Sequence, residues 1–329
     1  MSQYLESLKE AARFIRDNER FLVISHVSPD GDTTSSACAT ALILDQLGKS
    51  YVIVNEGETP DKFDFLPKAK EIVDLSQTKL NETFSRVIAV DAADSYRMGD
   101  VQHLFAPDVQ LLNIDHHPTN DKFGTYNVIR TDAAATAEMM YELVEAGEFE
   151  LTPEIATCIY TGLMTDTGGF RYSNTTSNVM KIASKLLEYG VKPAEIAERC
   201  LEAITKEHVQ LLRRALQSLS ITHNNLVASL KVTLQDIRET GATGEDVSGL
   251  VNYGRNIEGV EVGLLFTEVE PDVIKVSLRS RSKVDVSQIA KSIGGGGHAR
   301  ASGCTVKGSI SEVEDRLLGM LGEALGVNR

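Results

Sequence analysis

The chain has no tryptophan, and aromatic residues make up only 6% of it. Extended stacking platforms for long single-stranded nucleic acid are therefore not expected. Cysteine is equally scarce. Cys38, Cys158, Cys200 and Cys304 are scattered, with no CxxC pair and no disulfide-scaffold spacing. A reduced, cytoplasmic protein is the simplest expectation. No apolar run approaches the roughly 18–20 residues that span a bilayer. Met1 to Arg20 is charged throughout, without the apolar core of a leader, so neither a secretory signal nor a membrane partner is expected. Positive charge is the remaining deficit. Against 47 Asp and Glu stand 33 Lys and Arg, a formal net charge of −14. That argues against coating long nucleic acid by bulk electrostatics, and it requires any small anionic ligand to find cations gathered locally.

A length of 329 residues sets a prior of two domains. The first part of the chain repeats strand, helix, strand. Tyr4 to Asn18 has helical spacing. Phe21 to Ser25, Tyr51 to Asn55, Val87 to Val90 and Val109 to Asn113 are short apolar runs that predict buried strands. Thr33 to Leu47 is helical and stops at Gly48. This is the pattern of a parallel α/β sheet. Its strands run into His26, Asp91 and Asp115-His116-His117. In an open parallel sheet, ligands sit beyond the carboxyl ends of the strands, so topology alone gathers these side chains. Two adjacent histidines at a strand end point in different directions, which leaves one for a metal and one for a neighbouring site.

Pro29 and Gly31 rule out a regular helix through His26, Asp30 and Asp32; a loop folding back can aim all three inward. Imidazole with several carboxylates suits Mn²⁺, Fe²⁺, Co²⁺ or Zn²⁺. Taken alone, the same residues also read as an acidic turn capping the next helix. Thr136 to Ala146 and Pro153 to Leu163 predict helices, the second capped by Thr152. Asp166 follows it, before Gly168-Gly169. A carboxylate opposes the helix dipole there and calls for a positive partner.

Residues 189–205 read as a connector with a short helix over 194–201. Beyond it a helix is expected over 206–216, strands near Ile221 and over 226–232, a helical stretch over 245–253, and β-rich runs over 260–267 and 273–279. From Lys275 to Arg300 there are six Lys or Arg and one acidic residue, Asp285. Alternation places Val276 and Leu278 on one face and Ser277, Arg279 and Arg281 on the other. The run Gly294 to Gly297 lets backbone N–H groups converge on an anion, with side-chain donors from His298 and Ser302, and Arg255 a further candidate. Read alone, the glycines are a flexible turn and the arginines a solvated strand edge. His103, His208 and His223 fall outside every motif and read as surface or packing residues.

Four ordered motifs, His26-x-x-Pro29-Asp30-Gly31-Asp32, then Asp91, then Asp115-His116-His117, then Asp166 before Thr167-Gly168, resemble those of the DHH phosphoesterase family. Gly294-Gly295-Gly296-Gly297-His298 is similar to the GGGH signature of the DHH-associated domain. Order and pairing together most resemble the oligoribonuclease and 3′-phosphoadenosine 5′-phosphate phosphatase group. One departure is that the first motif runs into Thr33-Thr34-Ser35-Ser36, where the family often carries a Gly-Ser pair.

The resemblance implies an α/β fold with a largely parallel-sheet catalytic domain over 1–188, a connector over 189–205, and a smaller α/β substrate-binding domain over 206–329, with the active site in the cleft between them. It implies two divalent ions, Mn²⁺ in most of the family. His26, Asp30 and Asp91 would hold one; Asp32, Asp91, His116 and Asp166 would hold the other. Asp115 would orient its neighbouring, metal-bound histidine, and His117 would face the phosphate, so Asp91, Asp115 and His117 form the expected catalytic set. Arg255, Arg279, Arg281, Gly295, Gly296, Gly297, His298 and Ser302 would bind substrate. The expected activity is hydrolysis of short RNA or DNA oligonucleotides and nucleoside bisphosphates by metal-activated hydroxide, and a homodimer is plausible. The alternatives are a linear or cyclic dinucleotide phosphodiesterase, a manganese inorganic pyrophosphatase, and a non-catalytic nucleotide-binding protein.

Overall fold

The structure is a computed structural model and describes residues 2–27 and 29–327. Ser28, in the expected loop between His26 and Asp32, lies outside the described residues. The chain divides into two units between Ala203 and Ile204. No helix among the described residues is long and apolar enough to cross a membrane.

The first unit is built on six strands: β1 (Arg20–Ile24), β2 (Ser50–Asn55), β3 (Val73–Asp74), β4 (Phe84–Val90), β5 (Phe105–Asp115) and β6 (Tyr126–Ile129). They lie in the order β3-β2-β1-β4-β5-β6, and every pairing is parallel. The sheet is apolar on both faces, as parallel sheets require. Alternation sorts the side chains. Phe21, Val23, Ile88, Val90, Leu112 and Ile114 join one core, and Leu22, Ile24, Val87 and Ala89 join the other. Helices cover the first face: α1 (Ser2–Asp17), α2 (Gly31–Gln46), α3 (Thr136–Ala146), α4 (Pro153–Asp166) and α5 (Ser177–Leu187). The second face packs on short 3₁₀ turns carrying Met98, Val101 and Leu104. The expected connector folds with this unit, as α6 (Pro193–Ala197) and a π-helical turn at Glu198–Glu202.

The second unit holds α7 (Lys206–Gln217), β7 (Ser220–Thr222), β8 (Val227–Val232), α8 (Leu234–Thr240), α9 (Gly244–Val247), α10 (Leu250–Arg255), β9 (Val262–Glu270), β10 (Val273–Ser280), α11 (Val286–Ser292), β11 (Gly296–His298), β12 (Ala301–Lys307) and α12 (Ile310–Leu325). Its strand order is β11-β12-β10-β9-β8-β7, antiparallel except for β8 with β9. The helical stretch expected over 245–253 is broken into α9 and α10. Gly249, at φ 82°, starts the second piece in the left-handed region that favours glycine.

Two glycines set how closely the helices around the strand ends can pack. A Cβ at Gly162 in α4 would sit 2.5 Å from Ala137 Cβ and Ser35 Oγ and 2.7 Å from Asp32 Oδ1; one at Gly31 would meet Thr165 at 2.5 Å. Helices α2, α3 and α4 therefore touch through bare backbone, beside Asp32. Gly162→Ala is expected to cost about 1–3 kcal/mol by overpacking. Urea unfolding of the variant checks this, and an unchanged midpoint would show that the helices tolerate separation.

Candidate metal centre

The carboxyl ends of β1, β4 and β5 place His26, Asp91 and Asp115 on one rim of the sheet. Asp30, the N-cap of α2, accepts from the Thr33 backbone N–H at 3.1 Å, and Asp32 lies in that helix's first turn. Asp166 is the last residue of α4. His116 and His117 follow β5 with rings edge to face, 4.7 Å between centroids. The donor atoms of His26, Asp30 and Asp91 lie within 4.8 Å of one another, and so do those of Asp32, His116 and Asp166. Asp91 faces both groups. Its Oδ2 is 3.5 Å from His26 Nε2, and its Oδ1 is 3.7 Å from His116 Nε2. His116 Nε2 is in turn 3.5 Å from Asp166 Oδ2. All six candidate ligands thus come together.

The surrounding backbone and hydroxyls hold these acids in place. Helix α3 begins at Ala135, which has no side-chain oxygen to cap it. Asp32 does so instead, taking the N–H of Thr136 at 2.6 Å and of Ala137 at 2.9 Å. The free N–H groups and dipole of α3 thereby favour the Asp32 charge. Asp91 adopts φ 59°, uncommon for a residue with a side chain, and its N–H is tied to the Ile114 carbonyl at 2.9 Å. Thr33 and Thr136 donate hydroxyls to its carboxylate at 2.6 and 2.9 Å.

Asp115 differs from expectation in its partner. It accepts from Nδ1 of His117 at 2.8 Å, whereas Nδ1 of His116 approaches the Ala133 carbonyl at 3.3 Å. Asn120 donates to the second Asp115 oxygen at 2.7 Å. A grouping of Asp91, His116 and His117 also brings donor atoms together, but the Asp115 bond engages His117 Nδ1.

The charge balance fits divalent cations. Asp32, Asp91 and Asp115 are buried, and among the described residues no Lys or Arg is ion-paired with Asp30, Asp32, Asp91 or Asp166. Burial, then the Asp91 and Asp166 charges, push Asp32 well above the usual carboxylate range. Burial, with Asp30 and Asp91, does the same to Asp166. Burial also opposes the Asp91 charge, but the hydrogen bond and charge of His26, with His116 and His117, hold its pKa low. Burial would lower His26 and His117, yet Asp91 raises the one and the Asp115 hydrogen bond the other. Oxygen and imidazole donors crowded until they repel suit Mn²⁺ and its neighbours.

In the second unit the anion-binding candidates are partly regrouped. Lys275, Ser277 and Arg279 share the face of β10 that lines a cavity of about 690 Å³ with Gly296, Gly297 and Ser302. Arg281 does not join them. It lies past the end of β10, and its guanidinium donates to the carbonyls of Arg255, Asn256 and Ile257, closing the end of α10. Arg255 lies over β9, where a Cβ at Gly263 would meet its own Cβ at 2.8 Å, and its Nε is buried without a hydrogen bond. The glycine run is not a free loop. Gly296, Gly297 and His298 form β11 against β12, so the ladder takes up part of the expected nest, while Gly295 packs on Cys304. Ser302 is buried and donates to the His298 carbonyl at 2.7 Å, which ties the turn; the His298 side chain is exposed. His208 and His223 are buried, as packing residues would be.

Sequence reasoning passed over Thr136, Asn120 and Glu261. Glu261 Oε1 gathers the N–H groups of Ser282 and Val284 at 3.0 and 3.1 Å. The partners of Thr136 and Glu261 are distant in sequence, and no spacing signals them; Asn120, five residues from Asp115, stands outside the motif.

Residues 20–163 match the family described as "DHH family, N-terminal domain", and residues 224–326 match the "DHHA1 domain". A Thermus thermophilus protein named "Bifunctional oligoribonuclease and PAP phosphatase NrnA" is 35% identical over 98% of this chain and 96% of its own. The structure of an exopolyphosphatase-related protein from Bacteroides fragilis superposes with a TM-score of 0.89 at 24% identity, covering 98% of this chain and 96% of that one. RecJ of Thermus thermophilus in complex with Mn²⁺ superposes at 0.55 and 12% identity, over 95% of this chain and 54% of RecJ.

These shifts fix how the metal-free centre responds to pH. Asp32 and Asp166 hold protons in the folded chain that the unfolded chain has released, so their contribution to stability falls as pH rises above the ordinary carboxylate range. His26 and His117, also raised, contribute fully below the unfolded imidazole value and lose this as pH rises through their folded values. Asp91 works oppositely, but only at low pH. With chelator present, the thermal midpoint should therefore fall between about pH 6 and pH 9, and added Mn²⁺ should flatten or reverse the slope, because metals require deprotonated donors. Equal slopes with and without Mn²⁺ in differential scanning calorimetry would contradict this.

Proposed function

Because the chain belongs to the DHH family of phosphoesterases, we propose that it hydrolyses short oligoribonucleotides to mononucleotides and 3′-phosphoadenosine 5′-phosphate to AMP and phosphate, with two Mn²⁺ ions as cofactors. The observation that carries the reading is the pair of adjacent donor groups, with Asp91 facing each through a different oxygen. The name of the Thermus relative supports the substrates, and the Mn²⁺ bound to RecJ supports the metal.

His26, Asp30 and Asp91 would hold one ion, and Asp32, Asp91, His116 and Asp166 the other. Bound there, two divalent ions would supply hydroxide at neutral pH and offset charge on the phosphoryl oxygens. The chain's own groups do the rest. Asp115 fixes the His117 ring through Nδ1 and favours its imidazolium form, in which Nε2–H is the group that donates to a phosphoryl oxygen. Asn120 and the His117 backbone N–H, at 2.7 and 3.2 Å, keep Asp115 from turning. Helix α3 aims Asp32 through its first N–H groups, which favour the ionised form that a metal requires.

Four carboxylates against two dications leave this centre near neutral, so it cannot by itself hold a polyanion tightly. The second unit carries a cationic face of its own on which an anion can bind. Lys275 and Arg279 line a cavity walled by Gly296 and Gly297, where a phosphate can approach backbone without meeting side chains. With few aromatics in the chain, affinity should fade as oligonucleotides lengthen.

The test is release of nucleotide and phosphate from 3′-phosphoadenosine 5′-phosphate and from a labelled RNA series starting at the dinucleotide, with Mn²⁺ and with EDTA. His117→Ala should lower kcat on the order of 10²–10⁴-fold with KM little changed. Arg279→Ala should instead raise KM about 10- to 100-fold, the cost of a charged hydrogen bond. Turnover that is indifferent to EDTA, or confined to pyrophosphate or cyclic dinucleotides, would overturn the proposal.

A further inference from the structure

Thr33 stands in the first turn of α2, fully buried, among the three donors of the first metal group. Its Oγ1 is 2.6 Å from His26 Nε2, 2.9 Å from Asp30 Oδ1 and 2.6 Å from Asp91 Oδ2. A hydroxyl carries one hydrogen. It can donate to one of those acceptors and must face the others lone pair to lone pair. His26 does not relieve the crowding while neutral, because its Nδ1–H is given to the Val27 carbonyl at 2.8 Å, which leaves Nε2 as a second acceptor. With His26 in the neutral form that metal binding requires, four lone-pair atoms converge with one proton among them. Protein groups alone satisfy such a cluster poorly; a cation inside it satisfies every member.

We propose that Thr33 is itself a metal ligand, giving its hydroxyl oxygen as a fourth, neutral donor to the ion held by His26, Asp30 and Asp91. The inference rests on the two-ion reading of the centre. Ligands about 2.1 Å from an ion lie about 3.0–3.5 Å apart in octahedral or tetrahedral arrays. The 3.5 Å between His26 and Asp91 already matches, and the distances of 2.6–2.9 Å around Thr33 need to open by only tenths of an ångström. A neutral oxygen also suits the charge balance, since a fifth carboxylate would leave two dications over-neutralised. The branched Cβ, in a helix turn, restricts the hydroxyl to few positions, so little freedom is lost when it coordinates. Hydroxyl ligation of Mg²⁺ by the Ser or Thr of phosphate-binding loops shows that this donor type serves divalent ions.

Calorimetric titration of the chelator-stripped full chain with Mn²⁺, and electron paramagnetic resonance counting of bound ions, test it without reference to turnover. Thr33→Ala and Thr33→Val both remove the oxygen, the second while filling the same volume; Thr33→Ser keeps it. Circular dichroism verifies the fold of each. The proposal expects both oxygen-less variants to retain one wild-type site and to weaken the other about tenfold or more, with serine within about threefold of wild type. Unchanged or tighter binding in Thr33→Ala or Thr33→Val would show a bystander or an obstruction and overturn it. So would an equal loss in Thr33→Ser, which would assign the effect to packing. Failure of the wild-type chain to take up two ions would instead overturn the two-ion reading, and the proposal with it.

Discussion

Everything in the first unit answers to one electrostatic constraint: several carboxylates share a largely buried space, and among the described residues no lysine or arginine is ion-paired with Asp30, Asp32, Asp91 or Asp166. Like charges in low dielectric raise one another's proton affinity and, left ionised, would cost several kcal/mol. The chain offsets this with dipoles rather than with lysine or arginine. Asp32 sits on the N-terminus of α3, and Asp91 takes two threonine hydroxyls. His26, His116 and His117 lie 3.5–3.7 Å from the Asp91 carboxylate and favour its charge. What remains uncompensated is charge that only small cations can reach. The donor set is costly as a piece of protein and useful as a site.

The fold supplies the alignment. Parallel strands bring their carboxyl ends to one rim, so residues as far apart in sequence as His26, Asp91 and Asp115 meet without a special loop. Residues from helices complete the rim: Asp30 and Asp32 at the start of α2, and Asp166 at the end of α4. The close approach of α2, α3 and α4 around Gly162 brings the end of α4 and the start of α2 to the same rim. The second unit has a different economy. Its sheet is mixed, one face is sealed by α11 and α12, and on the other β10 turns Lys275, Ser277 and Arg279 toward a cavity.

Much of this was legible in the sequence, for identifiable reasons. Strands of a doubly covered parallel sheet are unbroken apolar runs, so their ends, and the polar residues there, could be located closely. Helix α3 was found at its observed limits because its periodicity is uninterrupted between Thr136 and Ala146. Failures came where partners are remote. Alternation put Arg281 with Arg279, but β10 ends at Ser280, and the next residue caps α10 instead. The glycine run suggested a loop because glycine is poor in strands, yet pairing with β12 makes β11 of it. Asp115 was assigned to orient a metal-bound histidine and in the fold orients His117, a choice between adjacent rings that no spacing decides. The threonines after Asp32 read as a helix start, and only the fold brings Thr33 against His26, Asp30 and Asp91.

The claim on which the rest depends is that two cations flank Asp91. Anomalous diffraction at the manganese edge, from crystals grown with Mn²⁺, addresses it most directly. The account predicts two peaks about 3.5–4 Å apart, one against His26 and Asp30, the other against Asp32, His116 and Asp166, with Asp91 between them. A single peak, or peaks away from this rim, would contradict it.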